Sequence, residues 1–128
     1  MKKLLFVIAF FAILITVHSQ VLVKATKYHP GRGGAGWYTA SGDRIDNNKL
    51  KRYEIRWVAL SPDLYRTLGV KINDTVDIDC PTNSRLNGHW IVKDRMSSRL
   101  RNSIDLLLPV GDTMRFTSRT EMYIKKVE

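Results

Sequence analysis

The chain has 128 residues, of which 44% are hydrophobic and 26% are charged, and its formal net charge is +9. A single cysteine, Cys80, excludes an intramolecular disulfide framework, and the length suits one domain. The positive charge favours anionic polymers as partners, but no nucleic-acid-binding motif is present, so we expect no nucleic acid partner.

The first 19 residues predict a secretory signal peptide. Lys2 and Lys3 precede an almost unbroken apolar run at 4–17, and Val17 and Ser19 suit a cleavage site. The alternative is an uncleaved membrane anchor, although the run is shorter than the ~20 residues that span a bilayer. We expect residues 20–128 to be secreted, periplasmic or attached to the cell envelope, with membrane contact only through the transient signal peptide. Its removal takes away two lysines and no acid, which lowers the net charge from +9 to +7.

Apolar–polar alternation and β-branched residues predict about six strands and little helix. The strands are expected at 21–28, 53–60, within 70–79, and at 89–92, 104–108 and 120–127. Ser61, Pro62 and Asp63 predict the start of a short helix, and Gly69 its end. Residues 43–52 are expected to form a polar surface loop, and 111–116 a short helical or irregular piece. So many strands in a short chain predict a closed barrel, which removes exposed sheet edges.

The segment between the first two predicted strands has the composition of a sugar-binding surface. Its glycine-rich loop, 29–36, lacks the strand-to-helix pattern of a nucleotide-binding loop. Trp37 and Tyr38 lie beside Thr39 and Ser41, and a sugar presents an apolar face with a rim of hydroxyls. We therefore predict that these four residues and Tyr28 bind substrate. The alternative is that Trp37 or Tyr38 covers one end of the core.

Asp94 and Asp105 are the candidate catalytic residues. An acid between Ile104 and Leu106 breaks an apolar pattern, and a buried charge is costly unless it is hydrogen-bonded, paired or used for chemistry. Asp94 follows one predicted strand and Asp105 begins the next, so a connection that folds back would bring them to one site. The alternative is a structural role, in which backbone N–H groups or the arginines 95 and 99 satisfy both acids.

Other reactive side chains predict no further site. His29 and His89 are far apart in sequence and lack additional ligands, so we expect neither a metal nor a cofactor. Cys80 is expected to be a small apolar filler or a turn residue beside Pro81 and not a nucleophile, and Trp90 a core residue in the middle of its strand. We expect a monomer.

Several segments in chain order resemble the double-psi β-barrel group. Residues 25–28 resemble its opening A-T-x-Y strand, and 39–42 its T-A-S/N-G turn. Asp94-Arg95 and Ile104-Asp105-Leu106 resemble its D-R/T-G and I-D-L blocks, with the group's spacing between the acids. Residues 58–62 and 116–124 resemble a later strand and the closing strand. The chain is most similar to the three-aspartate (3D) domain, rare lipoprotein A and the barrel domain of MltA-type lytic transglycosylases.

The resemblance implies a mainly β fold, a six-stranded double-psi β-barrel at 20–128 with one or two short helices. It also implies an exported protein that acts on peptidoglycan or another anionic cell-wall polysaccharide. In lytic transglycosylase chemistry Asp105 would be the general acid and base, and Asp94 would support it. This sequence departs from the group's pattern at Ser61, where an aspartate is usual, and at residues 96–98, where glycines are usual. The alternative is a non-catalytic polysaccharide-binding module, since expansin-like proteins share the barrel and act without hydrolysis. A structural domain is the third possibility.

Overall fold

The computed structural model describes residues 19–128, so the predicted signal peptide lies outside the described residues except for Ser19. Seven strands form one mixed sheet in the order β1-β7-β4-β5-β3-β6-β2, which curls into a nearly closed barrel. The strands are β1 Val21–Leu22, β2 Lys24–Tyr28, β3 Trp57–Leu60, β4 Thr75–Asp79, β5 Gly88–Arg95, β6 Ser103–Leu107 and β7 Tyr123–Lys126. Two short helices, α1 Asn47–Lys51 and α2 Pro62–Leu68, and a 3-10 turn at Ser84–Leu86 complete the fold. The predicted mainly β barrel with short helices is confirmed.

The first predicted strand is divided in two, which explains why the structure has seven strands and not six. β1 pairs antiparallel with β7, and β2 pairs parallel with β6. Between them, the Val23 N–H donates to the Met122 carbonyl (3.0 Å), and the Val23 side chain is buried. Because β1 and β2 lie at opposite ends of the strand order, this one segment joins the two edges of the sheet.

The barrel interior is filled by the inward-facing side chains of the strands. Trp90 of β5 is only 2% exposed, and its indole N–H donates to the Leu86 carbonyl (2.9 Å), so its predicted core position is confirmed. Cys80 is also fully buried, as a free thiol. Residues 111–116 form turns and irregular backbone. Among residues 19–128 no helix is long and apolar enough to cross a membrane.

Helix α2 forms where the sequence predicts it, but Ser61 works differently from the expected N-cap. Leu64 and Leu68 are buried, and Gly69 ends the helix in the left-handed conformation (φ 66°). The Ser61 hydroxyl makes no capping bond. It donates to Asp63 Oδ1 (2.6 Å) and accepts from the Ser103 N–H (3.0 Å). Ser61 thus ties the start of α2 to the start of β6.

Helix α1 lies in the stretch predicted to be a polar surface loop, and that prediction was wrong. Asp46 caps the helix, because its Oδ1 accepts from the N–H groups of Asn48 (3.0 Å) and Lys49 (3.1 Å). Leu50 is fully buried in a second apolar cluster together with Ile45, Ile55 and Leu107. A single buried leucine among polar residues gives no periodic pattern, so the sequence contains little sign of this helix.

Candidate functional site

Asp94 and Asp105 face the same site because β3 lies between their strands. Ala59 of β3 is paired with Asp94 of β5 on one side and with Asp105 of β6 on the other. Directly paired residues point to the same face of a sheet, and strands lie roughly 4.8 Å apart, so the two Cα atoms are about 10 Å apart. The small Ala59 leaves the space between the carboxyl groups open. The structure thus brings the two predicted acids together.

A one-residue shift in strand pairing turns Asp94 outward. Val58 pairs with Val92, whereas the next residue, Ala59, pairs with Asp94, so Lys93 is an extra residue in β5. Val92 points into the core, and in a regular strand the side chain two residues later would do the same. The extra residue instead directs Asp94 to the outer face, as β-bulges commonly do.

The side chain of Lys93 is fixed on three sides. Its ammonium group donates to Asp43 Oδ2 (2.6 Å) and Asn73 Oδ1 (2.7 Å), and it lies 5.0 Å from the centre of the Trp57 ring. These contacts join two loops to β5 and hold the irregular segment in place.

A groove of about 540 Å³ lies above the two acids. Its lining combines the acids with aromatic, basic and apolar residues: Tyr28, Tyr38, Asp94 and Asp105; Lys27, His29, Arg32 and Arg95; Ile45, Ala59, Met96, Ser97 and Leu100; and the loop residues 33–36. The glycine-rich loop therefore forms a wall of the groove.

Asp105 is half-buried, and within residues 19–128 it takes part in no ion pair. The Thr26 hydroxyl donates to its Oδ1 (2.9 Å). Burial raises the pKa of Asp105, and the negative charge of Asp94 raises it further, while the Thr26 hydrogen bond and His29 oppose the rise. Asp105 consequently keeps its proton to a higher pH than an ordinary aspartic acid.

Backbone N–H groups, and not arginines, satisfy Asp94. Its Oδ1 accepts from the N–H groups of Ala40 (3.2 Å) and Arg95 (2.9 Å). The guanidinium of Arg95 lies over the Tyr65 ring, 5.3 Å from its centre. The Tyr65 hydroxyl in turn donates to the Asp94 carbonyl (2.7 Å). Of the two structural alternatives for this acid, the structure supports the one with backbone donors.

Tyr28 lines the groove, and its hydroxyl is buried and has no hydrogen-bond partner among residues 19–128. Its ring packs against the second apolar cluster. Burial raises the pKa of Tyr28 above its ordinary value, and the nearby Asp94 and Asp105 raise it further, so the phenol stays protonated. A phenol in this position is a hydrogen-bond donor close to both acids.

Thr39 and Ser41 belong to a tight turn beside the groove and do not line it. The Thr39 and Ser41 hydroxyls are 2.6 Å apart, and the Ser41 hydroxyl donates to Asp43 Oδ2 (2.8 Å). The Ser41 N–H donates to the Lys93 carbonyl (3.1 Å). The turn is thereby fixed on the end of β5, where the N–H of Ala40 reaches Asp94.

The two neighbouring aromatic residues line different cavities. Tyr38 is 66% exposed and lines the groove above the acids. Trp37 is 39% exposed and lines a separate hollow of about 560 Å³ next to α1. Of the five predicted substrate-binding residues, only Tyr28 and Tyr38 share the groove with Asp94 and Asp105.

Three contributors to the site were not singled out from the sequence. Thr26 supplies the hydrogen bond to Asp105, and it is one residue from the buried Ala25, so the alternation of the first strand could have placed it outward. Lys93 and Tyr65 fix Asp94 through contacts between distant segments, for which the sequence gives no signal.

The described residues hold no cluster of three or more His, Cys, Asp or Glu side chains that could bind a metal ion. His29 is engaged otherwise: its Nδ1 lies 2.9 Å from the Leu108 carbonyl oxygen, and its Nε2 lies 3.8 Å from Asp112 Oδ2.

The fold is similar to that of an expansin. No protein-family model matches the chain, and no curated protein matches it. The crystal structure of apo expansin from Clavibacter michiganensis superposes with a TM-score of 0.54 at 15% sequence identity. The match covers 86% of this chain and 51% of that chain, so this chain spans about half the length of the expansin. At this identity the similarity establishes the fold alone, and it agrees with the predicted barrel group.

Proposed function

We propose that residues 20–128 form an exported module that binds cell-wall polysaccharide in the groove above Asp94 and Asp105. The observation that carries this proposal is that both acids face one groove together with the exposed ring of Tyr38. Carboxyl groups hydrogen-bond to sugar hydroxyls, and an aromatic ring packs against the apolar face of a sugar. We take peptidoglycan as the expected polymer, because its peptide carboxylates also suit the basic residues of the groove.

Binding without cleavage is the better-supported form of this function. The similarity in fold to an expansin agrees with the non-catalytic alternative. Asp94 already accepts two backbone hydrogen bonds. Met96 lines the groove in the segment where the resemblance leads one to expect glycine, so this part of the groove departs from the pattern that the resemblance implies for the enzymes.

Sedimentation with purified insoluble peptidoglycan tests this proposal. We expect the wild-type protein to be depleted from solution, and Tyr38→Ala to bind about tenfold more weakly because it loses the aromatic platform. Leu22→Ala is the matched control, since Leu22 is 60% exposed but does not line the groove. Equal depletion of wild type and Tyr38→Ala, or no depletion of wild type, would contradict the proposal.

Lytic transglycosylase activity is the second candidate, and the raised pKa of Asp105 favours it. The protonated carboxyl group of Asp105 would donate to the glycosidic oxygen as the bond to C1 of muramic acid breaks. The resulting carboxylate would accept the proton of the C6 hydroxyl, whose oxygen closes a 1,6-anhydro ring on C1. No water is consumed, so one carboxyl group serves both steps.

Product analysis separates the two candidates. Peptidoglycan incubated with the protein is digested to muropeptides and searched for 1,6-anhydro ends, with Asp105→Asn as the control. Anhydro products from wild type alone support the enzyme. Retention of both proteins on the polymer without product supports the binding module. The absence of both retention and product would contradict both candidates.

A further inference from the structure

The hollow beside α1 is separated from the groove by a short hairpin. The Trp37 carbonyl accepts from the Ile45 N–H (2.8 Å), the Thr39 N–H donates to the Asp43 carbonyl (3.0 Å), and Tyr38 forms a β-bridge with Arg44. Tyr38 lines the groove on one side of this hairpin, and Trp37 lines the hollow on the other. The buried Ile45 lines both cavities, so they are adjacent.

The indole of Trp37 packs against the backbone of the glycine-rich loop. Gly31 lies against the edge of the indole, and a Cβ atom at that position would be 3.1 Å from Trp37 Nε1 and 3.4 Å from Cε2. The backbone of Gly31 also has a φ of +70°, which favours glycine. With 39% of the residue exposed, part of the ring is presented to solvent on a firm support. An aromatic ring fixed before binding loses little conformational entropy when a ligand packs on it.

Several polar side chains around Trp37 have no partner within the described part of the chain. The Arg44 guanidinium and the side-chain amides of Asn47 and Asn48 line the hollow, and none of them takes part in a side-chain hydrogen bond or ion pair there. The acid in the same lining, Asp46, is occupied as the N-cap of α1. The free hydrogen-bonding groups of the hollow are therefore one guanidinium and two amides.

We propose that this hollow is a second sugar-binding site, which holds one pyranose ring against the exposed part of Trp37. An indole suits the apolar face of a sugar, and amide and guanidinium groups suit its hydroxyl and acetamido substituents. The ligand class rests on the proposed function, but the residues of this site differ from those of the groove.

A titration followed by NMR distinguishes the two sites. We expect chitotetraose, the soluble tetramer of N-acetylglucosamine, to shift the indole N–H signal of Trp37 and the side-chain amide signals of Asn47 and Asn48 in a saturable way. Trp37→Ala is expected to weaken the response of these amides about tenfold. The shifts of the Ala59 and Asp105 backbone amides are expected to persist in that variant and to weaken about tenfold in Tyr38→Ala.

The location of the shifts decides both proposals separately. Shifts confined to the groove would overturn the second site and leave the proposed function standing. Shifts confined to the hollow would support the second site and overturn binding in the groove, whereas no shift at either place would overturn both. If Trp37→Ala disturbs the fold, the exposed Asn48→Ala replaces it. Asn48→Ala is expected to weaken the Trp37 indole response several-fold, and an unchanged response would overturn the proposal.

Discussion

Two tyrosines beside Asp94 use their hydroxyl groups in opposite ways. The Tyr28 hydroxyl is buried and has no partner in the described part of the chain, whereas the Tyr65 hydroxyl donates to the Asp94 carbonyl (2.7 Å). A buried polar group without a partner costs about 1–3 kcal/mol of stability. Such a group in a folded protein calls for an explanation, and we propose that the Tyr28 hydroxyl serves glycan binding in the groove.

We expect Tyr28→Phe to raise the free energy of unfolding by about 1 kcal/mol, because it removes an unpaired hydroxyl, and yet to weaken glycan binding. Tyr65→Phe is the matched control and should lower the free energy of unfolding by about 1 kcal/mol, since it removes a hydrogen bond. Urea unfolding of both variants provides the measurement. A loss of stability in Tyr28→Phe as large as that in Tyr65→Phe would show that the Tyr28 hydroxyl has a structural partner.

Asp105 and Asp43 have pKa values shifted in opposite directions. Burial raises the pKa of Asp105, while the hydrogen bond from Lys93 lowers the pKa of Asp43. A folded protein that holds a proton more tightly than the unfolded chain loses stability as pH rises through the raised pKa. A lowered pKa has the reverse effect, since its stabilisation is lost as pH falls through the lowered value.

We therefore expect Asp105→Asn to be more stable than wild type at pH 7, and the difference to disappear at pH below the ordinary value of 3.8. Asp43→Asn should be less stable than wild type at pH 7, with a difference that shrinks in acid. Urea unfolding at pH 7 and pH 3 measures both differences. Destabilisation by Asp105→Asn at pH 7 would mean that the charged carboxylate has a stabilising partner in the folded protein.

Two local features set the position of the acids: an extra residue inside β5 and a hydrogen bond between the start of α2 and the start of β6. The extra residue Lys93 in β5 turns Asp94 outward. Ser61 joins the first residue of β6 to the start of α2, because its hydroxyl accepts from the Ser103 N–H (3.0 Å). Asp105 lies two residues further along β6, so this bond fixes the end of the strand that carries Asp105.

We expect Ser61→Ala to lower the free energy of unfolding by about 1–3 kcal/mol, because it leaves the buried Ser103 N–H without a partner. Ser97→Ala, at an exposed position, should change it by less than about 0.5 kcal/mol. Thermal or urea unfolding of the two variants gives the comparison. If both substitutions have the same small effect, the junction at Ser61 does not hold β6.

The net positive charge of the whole molecule would act on an anionic ligand at longer range than any single residue does. The net charge of residues 20–128 is +7, and the groove contributes Arg32 and Arg95, neither of which forms an ion pair within the described residues. Attraction of such a surface to an anionic polymer is screened by salt, with a Debye length that falls to about 3 Å at 1 M.

We expect retention on peptidoglycan to fall several-fold when NaCl is raised from about 0.05 M to about 0.5 M. Retention on chitin, a neutral polymer, should change much less over the same range. Sedimentation of the protein with each polymer measures both responses. Equal salt dependence on the two polymers would show that the net charge does not select an anionic ligand.

The sequence by itself determined the barrel class, the approximate positions of its strands and helix α2. These features depend on local patterns, such as the alternation in 21–28 and the Ser61-Pro62-Asp63 helix start, which act over a few residues. The sequence also indicated that Asp94 and Asp105 share a site, because only a short connection separates their strands.

Only the tertiary structure decided which residues complete that site. The division of the first strand at Val23, the extra residue Lys93, and the helix around Leu50 each depend on partners far away in the sequence. The same holds for the separation of Trp37 from Tyr38, since the hairpin that divides the two cavities is placed by its contacts with β5 and α1. Pairing register and burial arise from contacts between distant segments, so a local pattern cannot specify them.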